Sequence, residues 1–238
     1  MQSKTGNLYL IPTTLGDNEP LEVLPLSVKK KIEEIDIYIA ENEKSARRFI
    51  KKISPTKKQQ MLSFSILNKF TQDVELRDFL VPCLTGKNIG LLSEAGCPGI
   101  ADPGADVVKL AHEKGIKVIP LVGPSSIILA LMSSGLNGQN FAFNGYLPID
   151  KNERKSELKR LEKLSQEKKQ TQLFIETPYR NNKMMEDICA TLHPETLVCV
   201  ACDITLPTEF ILTKPVSYWK KNSADLHKRP ALFILQKY

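Results

Sequence analysis

Between Leu91 and Gly104 the chain reads LLSEAGCPGIADPG. Gly96, Gly99 and Gly104 tolerate positive φ and let a ligand approach the backbone closely, while Pro98 and Pro103 stiffen the loop. Ser93, Glu94 and Asp102 add polar atoms. The apolar run Ile89-Gly90-Leu91-Leu92 ahead of the loop reads as the end of a buried strand. Val107, Val108, Leu110 and Ala111 after it have the spacing of a packed helical face. A stiff, glycine-rich loop between strand and helix is where open α/β sheets hold ligands. Its chemistry is therefore binding through backbone groups. The plain alternative is an ordinary strand-to-helix connection; the loop's length and its polar side chains favour a site.

A second candidate is the basic run Lys44–Lys58, KSARRFIKKISPTKK, with seven Lys/Arg and no Asp/Glu. Arg47, Arg48, Lys51 and Lys52 in it are candidate substrate contacts. Phosphate contact and a plain solvated surface both fit this run. Lys151–Lys169 carries eight Lys/Arg but also four Glu, and reads as a solvated helix. The net charge of +6 and pI near 9.0 favour an anionic partner, nucleic acid first, although composition alone equally allows a basic protein that binds none. Cys199-Val-Ala-Cys202 matches C-x-x-C, but lies in the apolar run Leu197–Ile204. On a strand, residues three apart face opposite ways, so these read as core cysteines. No other Cys/His pair has zinc spacing, and no metal is expected. His112, His193 and His227 are scattered, and none is nominated as a base. No G-x-G-x-x-G follows a strand and there is no phosphate-binding P-loop.

Strands are expected at Leu8–Thr13, Asp36–Ala40, Met61–Leu67, Ile89–Leu92 and Lys117–Leu121. Helices are expected from Pro25 or Ser27 to Glu34, from Glu43 to before Pro55, over Gln72–Leu84 and over Ser125–Ser133. This alternation predicts an α/β domain with a mainly parallel sheet and helices on both faces. Past Gly135 come a short apolar run at Phe141–Phe143, a turn at Asn144–Pro148 and a charged helix over Lys151–Lys169, with Leu158, Leu161 and Leu164 on one side. Then follow a strand at Gln172–Ile175, a helix at Asn181–Thr191, and strands at Leu197–Ile204, Glu209–Thr213 and Ala231–Leu235, with a basic connection at Lys214–Lys221. Consecutive strands there predict a mixed sheet.

The 238 residues, 42% hydrophobic and 25% charged, suit one or two globular domains. The start, MQSKTGN, lacks a basic segment followed by an apolar core, and no apolar run is long enough to cross a bilayer. A cytoplasmic protein without membrane contact is expected.

SEAGCPGIADPG resembles the S-D-A-G-x-P-x-x-x-D-P-G loop of the S-adenosylmethionine-dependent tetrapyrrole-methylase superfamily. The nearest branch methylates a cytidine 2′-hydroxyl of small-subunit ribosomal RNA. PLVGPSSI (Pro120–Ile127) resembles that branch's P-x-P-G-P-S-A, and FNGYLP (Phe143–Pro148) its F-x-G-F-L-P. LYLIPTTLGD and FIETPYR resemble L-Y-x-V-P-T-P-I-G-N and F-Y-E-S-P-H-R. These stretches run in the family's order from Leu8 to about Arg180. The branch's A-E-D-T-R is here Ala40-Glu41-Asn42-Glu43-Lys44, and its histidine-bearing stretch near the third strand is here Phe64–Lys69, without histidine. The cofactor loops are thus kept better than the acceptor side.

The resemblance implies two α/β domains, 1–123 and 124–238, with S-adenosylmethionine in the cleft between them; composition alone would also allow a boundary near Gly145. It implies Leu15, Glu94, Ala95, Gly96 and Cys97 around the cofactor, and Ser125 and Ser126 beside it, where they would also suit a helix N-cap. Leu147, Thr177 and Ala231 would line the second domain's side, although Thr177-Pro178 equally fits a plain strand-end turn. Lys228-Arg229 lies next to that edge and could meet substrate, with Arg229 the candidate substrate contact. A ribose hydroxyl is a weak acid, and Glu41 is the carboxylate nominated as its general base. The implied function is methyl transfer to RNA of the small ribosomal subunit by a homodimer. The alternatives are a methylase of the same fold acting on a small molecule such as a tetrapyrrole, and a non-catalytic protein that binds cofactor and RNA.

Overall fold

The computed structural model describes residues 5–68, 71 and 73–238. The first residues of MQSKTGN, Lys69 of the histidine-free run, and Gln72 at the expected helix start lie outside the described residues. The chain divides into two compact units, Met1–Ser125 and Ser126–Tyr238.

The first unit runs β1 (Asn7–Ile11), α1 (Pro20–Val23), α2 (Leu26–Glu34), β2 (Ile37–Ala40), α3 (Glu43–Ile53), β3 (Ser63–Ile66), α4 (Asp73–Phe79), α5 (Val81–Leu84), β4 (Ile89–Leu92), α6 (Gly104–Glu113) and β5 (Lys117–Pro120). Its strands form a parallel sheet in the order β3-β2-β4-β1-β5. Period-two alternation sends side chains to two cores. Tyr9, Ile11, Tyr38, Ala40 and Leu92 meet Val28 and Ile32 of α2 and Ala46, Ile50 and Ile53 of α3 on one face. Leu8, Ile39, Ile89 and Leu91 meet Leu80, Cys83, Val107 and Ala111 on the other. The helix expected after Pro103 packs as its spacing indicates, with Val108 and Leu110 at the margin of that core.

The second unit runs α7 (Ser126–Ser134), β6 (Phe141–Tyr146), α8 (Lys151–Lys168), β7 (Thr171–Ile175), α9 (Asn181–Thr191), β8 (Leu197–Cys202), β9 (Phe210–Pro215), α10 (Val216–Trp219) and β10 (Ala231–Gln236). Its sheet has the order β6-β7-β10-β8-β9, and only the β6–β7 pair is parallel, so the sheet is mixed as expected. Leu158 and Leu161 of α8 and Met184 and Ile188 of α9 pack on Phe174, Phe233, Val198, Val200 and Cys202. Cys202 belongs to this core, while Cys199, also buried, projects from the opposite face of β8, so the two thiols do not form a pair.

Two local expectations are corrected. Asn144–Pro148 was read as a turn, yet β6 continues to Tyr146 with a shift of register against β7 between Phe143 and Tyr146. The Asn144 side chain holds the irregular segment by donating to the Leu173 carbonyl at 3.2 Å. Lys214–Lys221 is expected as a short basic connection. It holds the end of β9 and then α10, whose buried Trp219 donates its indole N–H to the Val198 carbonyl at 3.0 Å. In both places pairing with distant residues overrides the local composition.

Candidate functional site

In the first unit, the helices that follow β1 and β2 pack on one face of the sheet, whereas α6, which follows β4, packs on the other. β4 lies between β1 and β2. The loop leaving β4 therefore diverges from both neighbours, and such a divergence opens a crevice at the carboxyl ends of the strands. The loop in that place is Ser93–Pro103.

Hydrogen bonds knit this loop to the one after β1. The Thr13 amide donates to the Gly96 carbonyl at 3.0 Å, and buried Ser93 donates its hydroxyl to the same carbonyl at 2.5 Å. The Thr13 hydroxyl donates to the Ser93 carbonyl at 3.3 Å. Gly96 has φ +74, and a Cβ there would lie 3.0 Å from Leu15 Cδ2 and 3.2 Å from the Pro124 carbonyl oxygen. Leu15, Gly96 and the loop after β5 thus converge. Cys97 donates its thiol to the Pro124 carbonyl at 3.4 Å, and burial pushes its pKa up. Gly123 seals the junction, since a Cβ there would stand 2.2 Å from Pro12 Cγ. Asp102 turns inward as a loop staple: its Oδ1 accepts from the Gly99 amide at 2.6 Å and the Gly104 amide at 2.8 Å. α7 starts at Ser126, so Ser125 stands just ahead of its first turn.

Glu41 directly follows β2. Burial, then the charges of Asp102 and Glu94, push its pKa above the usual carboxylate range. Glu94 is fixed by the Ser45 hydroxyl at 2.6 Å. Three carboxylates from the ends of two strands thus share one electronegative neighbourhood. Asn42 caps α3, its side chain accepting from the Lys44 and Ser45 amides at 2.9 and 3.2 Å.

The basic run divides by role. Arg47 is occupied within the chain: it pairs with Glu43 at 2.7 Å, donates to the Gln59 and Leu62 carbonyls at 2.5 and 3.2 Å, and lies 4.7 Å from the Phe64 ring centroid. Lys52 pairs with Asp17 at 3.1 Å and Glu19 at 3.4 Å. Lys44, Arg48 and Lys51 are exposed, and their i, i+4, i+7 spacing lines them up opposite the Ala46–Ile50–Ile53 core face.

In the second unit, β6 and β7 end at the same edge of the sheet at which β10 begins. Leu147, Thr177 and Ala231 come to that edge together. Glu176 is buried there, paired with Arg180 at 2.6 Å. Arg229 does not point freely outward: it donates to Asp203 at 2.8 Å and to the Asp225 and Thr208 carbonyls at 2.9 and 2.7 Å. Arg154 had no assigned role in the sequence reading. It is buried, donates to Asp187 at 2.5 and 2.9 Å, and donates to the Pro148 and Ile149 carbonyls at 3.1 and 2.6 Å. It thereby fixes the segment carrying Leu147.

The family model for tetrapyrrole (corrin/porphyrin) methylases matches residues 7–217. The chain belongs to the tetrapyrrole methylase family. Among relatives of this methylase are proteins named ribosomal RNA small subunit methyltransferase I. The one from Escherichia coli O157:H7 is 29% identical over 97% of this chain and 78% of its own length. That from Vibrio cholerae is 30% identical, over 88% and 69%, and that from Buchnera aphidicola subsp. Schizaphis graminum is 30% identical, over 98% and 79%. Solved methylases share the fold. The methyltransferase CobJ matches with a TM-score of 0.65 at 13% identity, over 98% of this chain and 95% of that one. Uroporphyrin-III-C-methyltransferase from Thermus thermophilus matches at 0.58 and 16%, over 98% and 94%.

The departures of this methylase from its branch motif have structural uses. Asn42 serves as a helix cap, and Phe64 stacks on Tyr38 with ring centroids 5.6 Å apart. The Ser45–Glu94 link and the Arg154 anchor were missed in the sequence reading. The first joins residues 49 apart and the second joins two helices, so no local pattern marks either. An Asn ahead of a helical run was the available signal for the cap.

Proposed function

We propose that this methylase transfers a methyl group from S-adenosylmethionine to a ribose 2′-hydroxyl of small-subunit ribosomal RNA, in the cytoplasm and as a homodimer. The likeness across 97% of the chain to a relative named for methylating that RNA carries the acceptor. The donor rests on the family and on the crevice at the end of β4. The residues there suit it: Glu94 and Asp102 offer negative charge to a molecule with sulfonium and ammonium groups, and Gly96, at φ +74, lets the loop close against Leu15 and the Pro124 carbonyl.

Bound S-adenosylmethionine supplies a methyl group already activated on its sulfonium sulfur. The protein's work is then mainly to hold nucleophile and donor in line. Leu15, Glu94, Ala95, Gly96, Cys97 and Ser125 of the first unit are assigned to the donor, as are Ser126, Leu147, Thr177 and Ala231 of the second. Glu41, made more basic by its surroundings, accepts the hydroxyl proton as the oxygen attacks. Arg48 and Lys51, with Lys44, draw in phosphates, while Arg47 and Lys52 support that surface through their internal bonds; Arg229 is tied to Asp203 within the second unit.

The test is a ribose-methylation map of small-subunit RNA from cells with and without the gene, followed by incubation of purified subunits with the protein and labelled donor. A missing 2′-O-methyl that the protein restores is the expected result. An identical map with label on a small molecule would replace the acceptor. Donor binding without transfer to any RNA would make this a binding protein.

A further inference from the structure

We propose that Tyr179 is a stacking platform for an unpaired base of the RNA acceptor, with Lys228 neutralising the adjoining phosphate; this rests on the RNA reading above. Tyr179 follows Thr177-Pro178 at the sheet edge that carries Leu147, Thr177 and Ala231, and its side chain is 71% exposed. The Lys228 ammonium lies 5.9 Å from its ring centroid, and the His227 ring meets it edge-on at 6.3 Å. Among the described residues, Lys228 forms no ion pair, so its charge remains available.

The support beneath this surface is rigid. The Arg180 amide donates to the Thr177 carbonyl at 2.9 Å, closing a turn around Tyr179. Arg180 itself is drawn inward by buried Glu176 at 2.6 Å. The Lys228 amide donates to the Pro178 carbonyl at 3.0 Å, tying the two segments together. Asn181, fully buried, donates to the Arg229 carbonyl at 2.6 Å, and Arg229 is tied to Asp203. Lys228 is held at φ +58, a conformation that costs a lysine energy and persists only where its surroundings impose it. An exposed ring is ordinary by itself. An exposed ring between a lysine and a histidine, on two segments that are pinned from below, matches sequence-tolerant base stacking with phosphate contact.

The test uses the full-length protein, purified small ribosomal subunits and a short unstructured fluorescent RNA. Tyr179→Ala should weaken RNA binding about 5- to 100-fold, as loss of one stacked base does. Tyr179→Phe should bind as wild type, because stacking needs only the ring. Lys228→Gln should lower the salt slope by about 0.7, the share of one phosphate contact on a single strand. Donor affinity, read by calorimetry, should be unchanged in all three. Wild-type RNA affinity in Tyr179→Ala overturns the platform and leaves the RNA reading standing. Equal losses in Ala and Phe overturn stacking in favour of the hydroxyl. A loss of donor affinity with RNA binding intact assigns the ring to the donor and also overturns the proposal. A wild-type protein that binds neither RNA overturns both readings.

Discussion

Glu41 joins the chemistry of the site to the stability of the fold. Burial and the charges of Asp102 and Glu94 raise its pKa, so the native state holds its proton more tightly than the unfolded chain does. The native protein then binds the extra proton between the ordinary value of 4.5 and the raised one, and stability falls as pH rises through that window. Glu41→Gln should therefore raise the melting temperature at neutral pH, with the gain fading below the ordinary value; melts across pH read this directly. If Glu41 is the base of the proposed mechanism it must be ionised, so the transfer rate should rise with pH through an inflection above the usual carboxylate range. Glu41→Gln should lower that rate about 10²- to 10⁴-fold while donor affinity holds. Gly96 is the opposite case, a residue that acts by lacking a side chain. With φ +74, and Leu15 and Pro124 already 3.0 and 3.2 Å from where a Cβ would sit, Gly96→Val should strain the loop and abolish donor binding in calorimetry. The glycine was legible in the sequence because its neighbours in LLSEAGCPGIADPG announce a loop. The raised pKa of Glu41 was not, because Glu94 and Asp102 reach it only through the fold.

At the scale of elements, α3 shows how one helix serves two purposes. Its Ala46–Ile50–Ile53 face builds the core, and the opposite face presents Lys44, Arg48 and Lys51. Replacing those three with Gln should flatten the salt dependence of RNA binding by about two units of slope, since each phosphate contact on a single strand contributes roughly 0.7. Arg47→Gln should behave differently, destabilising the protein with little change in slope, because its guanidinium holds Gln59 and Leu62. The sequence marked the whole run as basic; only the fold separates cations that bind inward from those left outward. The contact between α8 and α9 turns on Arg154 and Asp187, both buried. Arg154→Met would leave Asp187 with Lys183 at 3.8 Å as its cation and free the Pro148 and Ile149 carbonyls. Breaking such a pair costs about 3–5 kcal/mol. Denaturant melts should show a loss of that order, and Asp187→Leu added to Arg154→Met should recover part of it. A charged helix in sequence gives no hint of which arginine turns inward.

For the whole molecule, the alternation of apolar strands with helices before Gly135, and the crowding of strands after it, sufficed to anticipate a parallel sheet followed by a mixed one. What local patterns could not show is strand order, and strand order makes the crevice: β4 lies between β1 and β2 while its helix crosses to the other face. That geometry separates the two ligands by their physics. On the proposed function, the donor is held at short range by the backbone groups and carboxylates of the loops at the end of β4, whereas RNA is drawn from further off by the +6 charge and by the α3 stripe. A donor selective for the native state at a hundredfold excess over its dissociation constant should stabilise the protein by about 2.7 kcal/mol, a rise of roughly 5–10 °C in melting temperature for a chain of this size. Added salt should leave that rise nearly intact while it removes binding to small subunits, because exposed charges are screened over about 10 Å at 0.1 M and counterion release is lost. Melting curves with and without donor, repeated alongside subunit binding over a salt series, test both halves. If the donor's shift and RNA binding fell together with salt, donor binding too would rest on long-range charge, and the loops at the end of β4 would lose their place as its site.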